Sequence, residues 1–173
     1  MINNILRNAI YFVVFVLIQV LILNNIHFMR IATPFLYLYI ILKLPVDGSR
    51  SGQLFWAFGA GLSIDLFCNT AGMHAFACTL ACFCRDGLIQ MYMGKDLPEG
   101  IYPSYRAFGY GGFFRYVLTF VVLHHMALFL IESLNLFDPF FLAVRILSSV
   151  LLTTLLICTV ESFNLIDIQK IGE

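Results

Sequence analysis

From Ala9 to Leu23 the chain runs for 15 residues without a charge, AIYFVVFVLIQVLIL, and comparable apolar runs recur almost to its end. Six can be marked: 9–23, 31–44 (interrupted by Pro34), 54–68, 73–88, 113–131 and 140–160. So many apolar stretches in 173 residues leave too little polar sequence to shield them from water. Charged residues are 12% of the chain and mean hydropathy is +0.90, whereas a soluble domain carries about a quarter charged residues. The expected solvent is a bilayer, and the expected fold is an all-α integral membrane protein. Residues 1–173 would form one domain of six transmembrane helices. Several runs are shorter than the roughly 20 residues of a perpendicular span; snorkelling flanks, local thinning and burial in a bundle can make up the difference.

The distribution of cations gives this count an orientation. With the N-terminus in the cytoplasm, Arg7, Lys43, Arg50, Arg85, Lys95, Arg106, Arg115 and Lys170 fall inside, and Arg30 and Arg145 outside. Cytoplasmic loops carry the excess of Lys and Arg, so an even number of spans with both termini cytoplasmic is self-consistent. The first run has no small-x-small cleavage site after it, only Asn24, Asn25, Ile26 and His27, and reads as a retained helix rather than a signal peptide. The longest connection, 92–112, is rich in Gly, Pro and Tyr. It is the expected main cytoplasmic loop, with Tyr92, Tyr102, Tyr105 and Tyr110 suited to the interfacial aromatic belt. Net charge is zero and no basic run appears, which argues against nucleic acid as a partner.

Within the third run, GAGLSIDLFC places a carboxylate, Asp65, among apolar residues. A charge at membrane depth faces the bundle interior and needs a partner. Asp65 lies three residues before the end of its run, about 5 Å deep at 1.5 Å per residue, and so in the outer half. Arg145 lies about 7–8 Å in on the sixth run, and His124 and His125 about 9–10 Å in on the fifth. By depth, Arg145 is the first candidate ion-pair partner for Asp65, and the histidines are the second. The alternative is that Arg145 snorkels to the outer headgroups and Asp65 meets water or a backbone amide. If the ion pair exists, exchanging the charges, Asp65→Arg with Arg145→Asp, rescues either single variant.

The small residues beside Asp65 form a second signal. Gly61 and Asp65 share a helix face, as do Gly59 and Ser63, and small residues at that spacing let another helix approach closely. The fourth run repeats the pattern with Ala71, Ala75 and Thr79, with Ala77 and Ala81, and with His74, Cys78 and Cys82. Those last three cannot converge on one metal ion from a straight helix face, and the adjacent His124 and His125 point apart. The five cysteines fit neither a disulfide framework nor paired C-x-x-C zinc ligands. There is no serine elbow, H-E-x-x-H, phosphate loop or dinucleotide fingerprint, and Asp65 has no second carboxylate. No catalytic, cofactor or metal residues are expected, and the chain does not read as an enzyme.

The stretch GAGLSIDLFCNTAGMHAFACTLACF, residues 59–83, resembles the signature of the MreD family of bacterial rod-shape-determining membrane proteins. In that family a G-x-x-x-D-l core is followed, after a short polar turn, by l-G-x-x-A-l. Gly61, Leu62, Asp65 and Leu66 match the first half, and Gly72, His74 and Ala75 the second. The Met73–His74 pair departs from the usual apolar pair, and the tyrosine-rich loop has no counterpart. The resemblance implies an inner-membrane, multi-pass component of the cell-elongation machinery with no catalytic activity. It implies a fold like the six-helix substrate-binding subunits of energy-coupling-factor transporters. The partners it implies are the MreC periplasmic scaffold, RodA and a class B penicillin-binding protein of peptidoglycan synthesis, and the MreB filament. Gly59, Gly61, Ser63, Asp65, Gly72 and Ala75 are candidate packing or partner residues, and membrane lipid is a further expected partner. A second reading is a transporter subunit binding a small vitamin-like solute through an outer polar cluster of Asp65, Asn69, His124 and Arg145. The short outer loops, 24–30, 69–72 and 132–139, offer such a solute little lid.

Overall fold

The computed structural model describes the chain except residues 1, 24–31, 95–99, 135–137 and 172–173, and describes only the backbone of 2–8, 11 and 165–171. Every extended element among the described residues is a helix: α1 (Ile2–Leu21), α2 (Leu38–Leu42), α3 (Arg50–Cys68), α4 (Met73–Met93), α5 (Tyr105–Glu132) and α6 (Pro139–Ile171). Two stretches, Tyr105–Glu132 and Pro139–Asn164, are long and apolar enough to cross a membrane. Helices α3 to α6 pack in chain order, and α1 lies against α3 and the segment that carries α2. Phe12 meets Trp56 at 5.8 Å between ring centroids, and Phe15 meets Tyr39 at 5.0 Å.

The second apolar run departs from expectation. In place of a helix over 31–44 it holds the one-turn α2 between stretches of non-helical chain. Pro34 has no N–H to give and turns Thr33 away from the α region. The segment nevertheless occupies the middle of the bundle, with every residue from Phe35 to Leu42 buried. Its path is fixed by its neighbours. The Phe35 ring lies 5.5 Å from His74 on α4 and 6.1 Å from Phe129 on α5. Further along, Leu42 and Leu44 meet Tyr116 and Arg85. The segment thus runs parallel to α4 and antiparallel to α5.

Irregular backbone in an apolar interior leaves N–H and C=O groups without partners unless side chains supply them, at about 1–3 kcal/mol for each one left bare. Here they are supplied from four helices. The Gln19 amide of α1 accepts from Leu36 N at 2.8 Å and Tyr37 N at 3.4 Å, and donates to the Pro34 carbonyl at 2.9 Å. Ser149 and Thr153 of α6 accept from Thr33 N and Phe35 N. Tyr116 and the Arg85 guanidinium donate to the Leu42 and Leu44 carbonyls. Arg85, counted in sequence with the cytoplasmic cations, is therefore fully buried inside α4, where it also donates to Tyr116 and Gln53. Near the same end, Lys43 and Glu161 pair at 3.0 Å, and Tyr39 donates to Glu161 at 2.6 Å.

The long connection is shorter than the sequence implied. Helix α4 continues to Met93, and α5 begins at Tyr105, where Ser104 accepts from Ala107 N; the helix then kinks at Gly109. Tyr105 packs on Phe113 at 4.8 Å, and Tyr92 hydrogen-bonds Thr119 at 2.8 Å, so both are held by helices. Replacing Gln19 by Leu keeps the bulk and removes three hydrogen bonds to the buried segment. It should lower unfolding stability in detergent by about 2–4 kcal/mol, read as a fall in denaturation midpoint. An exposed neighbour on α1, Leu17, changed to Ala, should have a small effect.

Candidate functional site

Helix α3 ends at Asn69, whose left-handed conformation (φ 54°) turns the chain, and α4 starts after Gly72, also left-handed (φ 79°). Four residues, Asn69 to Gly72, thus reverse the direction and return α4 along α3. Glycine at 72 meets the backbone requirement at no steric cost, but it brings no side chain to cap the new helix. The first N–H groups of α4 would be left bare.

Asp65 fills that role from the preceding helix. One carboxylate oxygen accepts from His74 N at 3.0 Å and the other from Ala75 N at 2.9 Å. The first also accepts from Thr70 Oγ1 and from the His74 ring at Nδ1, 3.0 Å away. Asp65 is 3% exposed, so its charge is matched by four donors and by the positive end of the α4 dipole. A carboxylate only accepts, so the His74 proton sits on Nδ1 and leaves Nε2 bare in the neutral ring.

Gly61, one turn earlier, makes this geometry accessible. A Cβ at Gly61 would stand 2.5 Å from Ala75 Cα and from the His74 carbonyl oxygen, and 2.6 Å from Ala75 N. Gly61 and Asp65 therefore act on the same two residues. The first lets the start of α4 touch the α3 backbone, and the second caps it there. Gly72 and Ala75, the other half of the motif, are the turn and the contacted residue. Gly59 and Ser63 behave differently. A Cβ at Gly59 meets nothing within 4 Å, and the Ser63 hydroxyl donates to the Gly59 carbonyl within α3 at 2.8 Å.

The expected Asp65–Arg145 pair is not formed. Arg145 pairs with Glu132 at 3.0 Å and lies over the Phe129 ring at 4.5 Å, while Asp65 is held by the turn and α4. Matching depth placed the two at one level without placing them on facing surfaces. Nor do His124 and His125 reach Asp65. His124 Nε2 bonds Tyr37 at 2.9 Å, and His125 donates to the Val121 carbonyl and meets Thr153 at 3.3 Å. His74, Cys78 and Cys82 are buried in the contacts of α4. Among the described residues no three His, Cys, Asp or Glu are placed to hold a metal ion. His74 is the partner that depth reasoning missed. Asn69 and Gly72 were its signal, because a tight turn between them sets residue 65 opposite 74 and 75.

A cavity of about 180 Å³ opens beside this turn, lined by Phe35, Met73, His74, Phe129, Glu132 and Arg145 among others. No family model, no curated protein and no solved structure matches the chain.

Gly61→Ala should lower stability by about 1–3 kcal/mol, the range for overpacking against an unyielding neighbour, whereas Gly59→Ala should change little. Thermal unfolding of both variants in one detergent checks the contrast. Asp65→Ala should cost at least as much as Gly61→Ala, and adding Arg145→Asp to Asp65→Arg should restore nothing.

Proposed function

We propose that this chain is a non-enzymatic, multi-pass scaffold of the bacterial plasma membrane, of the MreD type, which binds the transmembrane helix of an MreC-like partner. Through it the chain helps organise RodA, a class B penicillin-binding protein and, across the membrane, the MreB filament for peptidoglycan synthesis and rod shape. In this reading the chain crosses six times with both ends cytoplasmic. The segment 32–46 serves as the second crossing, and the arrangement is that of energy-coupling-factor substrate-binding subunits. Non-helical backbone is tolerated at membrane depth when protein surrounds it, which is the state of that segment.

The observation that carries the proposal is the division of the motif between two uses. Gly61 and Asp65 are engaged inside the bundle, and the carboxylate accepts from four donors. On the adjoining face of α3, Phe55, Gly59, Leu62 and Leu66 line up along the helix. Phe55 and Leu66 are 77% and 76% exposed, and Gly59 leaves a notch between aromatic and aliphatic side chains. A notch of this kind suits close approach by a second transmembrane helix. The transporter alternative fits less well, since the cavity of about 180 Å³ falls below the roughly 300–1,000 Å³ of drug-sized ligand sites.

Co-expression with an MreC-like protein tests the proposal. The pair should co-purify from native membranes, and Gly59→Trp should reduce recovery of the partner several-fold while leaving the thermal midpoint of the isolated chain unchanged. Depletion of the chain in its host should turn rods round. Absence of a complex when both proteins are present in membranes contradicts the scaffold reading.

A further inference from the structure

The cavity beside the α3–α4 turn contains polar groups that the fold does not use. Glu132 gives one oxygen to Arg145, and its second makes no hydrogen bond among the described residues; Arg145 likewise donates through one terminal nitrogen. Both side chains are partly exposed, at 39% and 28%. The third group is His74 Nε2. Asp65 fixes the proton on Nδ1, so the opposite nitrogen is an acceptor, and His74 lines the cavity. Most of the remaining wall is apolar, Phe35, Met73, Leu128 and Phe129, with Thr33, Cys68 and Thr70 completing it. The site therefore offers two acceptors, one guanidinium fork and a greasy wall in a small volume. Because Glu132 and Arg145 neutralise each other, a ligand with one net charge gains attraction from one and repulsion from the other. A ligand carrying both charges a few atoms apart satisfies both.

We propose that this cavity binds a small zwitterion. Its ammonium donates to Glu132 and His74 Nε2, its phosphate or carboxylate accepts from Arg145, and its carbon skeleton lies against Phe35 and Phe129. Two sources carry that chemistry: the headgroup of a zwitterionic phospholipid such as phosphatidylethanolamine, and a free amino acid. The cavity lies where α3 and α5 end and α4 and α6 begin. In the orientation proposed above, that end meets the outer headgroups. The inference is independent of which protein partner the outer face of α3 takes.

The test uses the full chain in nanodiscs of phosphatidylglycerol, titrated with short-chain phosphatidylethanolamine, short-chain phosphatidylglycerol or leucine, with thermal midpoint and direct binding as readouts. The ethanolamine lipid should bind saturably, and the anionic lipid should not. Arg145→Gln and Glu132→Gln should each weaken binding about tenfold, the loss of one charge-assisted hydrogen bond. Arg50→Gln, at the other end of α3, should leave it unchanged. Competition by leucine assigns the site to free amino acids, and its failure to compete assigns the site to the headgroup. The unliganded midpoint shows that the variants, both changed at partly exposed positions, are folded. Equal binding of both lipids, no saturable binding of either phosphatidylethanolamine or leucine, or unchanged binding in both variants would overturn the proposal.

Discussion

The fold depends on capping backbone amides inside an apolar bundle. Three helices begin with their own polar cap: Ser49 for α3, Ser104 for α5 and Asp138 for α6. Two begin without one, α2 after Tyr37 and α4 after Gly72. In both cases a side chain from an earlier helix takes up N–H groups at the approach to or start of the element: Gln19 of α1 accepts from Leu36 and Tyr37, just before α2, and Asp65 of α3 accepts from His74 and Ala75, in the first turn of α4. These two polar residues are among the most buried in the chain, at 0% and 3% exposure. Each ties an element that would otherwise expose bare N–H groups to the element before it. In an apolar surrounding no water is at hand to replace them, so the chain's few interior polar groups are fixed in position by backbone demand.

The Gly61–Asp65 spacing combines two requirements that would conflict if either residue were larger or apolar. Close approach of α4 needs a missing side chain at one turn, and a charge-bearing cap needs a carboxylate at the next. His74 responds to both, giving its carbonyl to the Gly61 contact and its amide and ring to Asp65. The ring orientation is then set, and its free nitrogen points to other surroundings. A structural contact on one side of α4 thus determines the chemistry available in the neighbouring cavity.

The apolar runs located five of the elements, because a long stretch without charge has few options besides a helix in a packed bundle. The run over 31–44 does not form the expected helix, because its state depends on partners far away in sequence: Gln19, Tyr116, Ser149 and Thr153. No local pattern reports them, although Pro34 and the lone amide of Gln19 in an apolar run were signals. The importance of Gly61 and Asp65 was legible from spacing. The identity of Asp65's partner was not, since depth along a helix says nothing about rotation around it. Arg145 shares the level of Asp65, yet Glu132 is the acid it meets.

What the motif does inside the bundle also bears on its use outside. With Asp65 saturated, the part of α3 left for other molecules is the notch at Gly59 and the apolar side chains around it. The central claim is that the Asp65 carboxylate caps α4. Hydrogen exchange at the backbone amides of His74 and Ala75 tests it most directly, comparing the native chain with Asp65→Ala under conditions where both are folded. Protection of these two amides in the native chain, lost in the variant while the middle of α4 stays protected, is the predicted result. Equal protection in both proteins would contradict it.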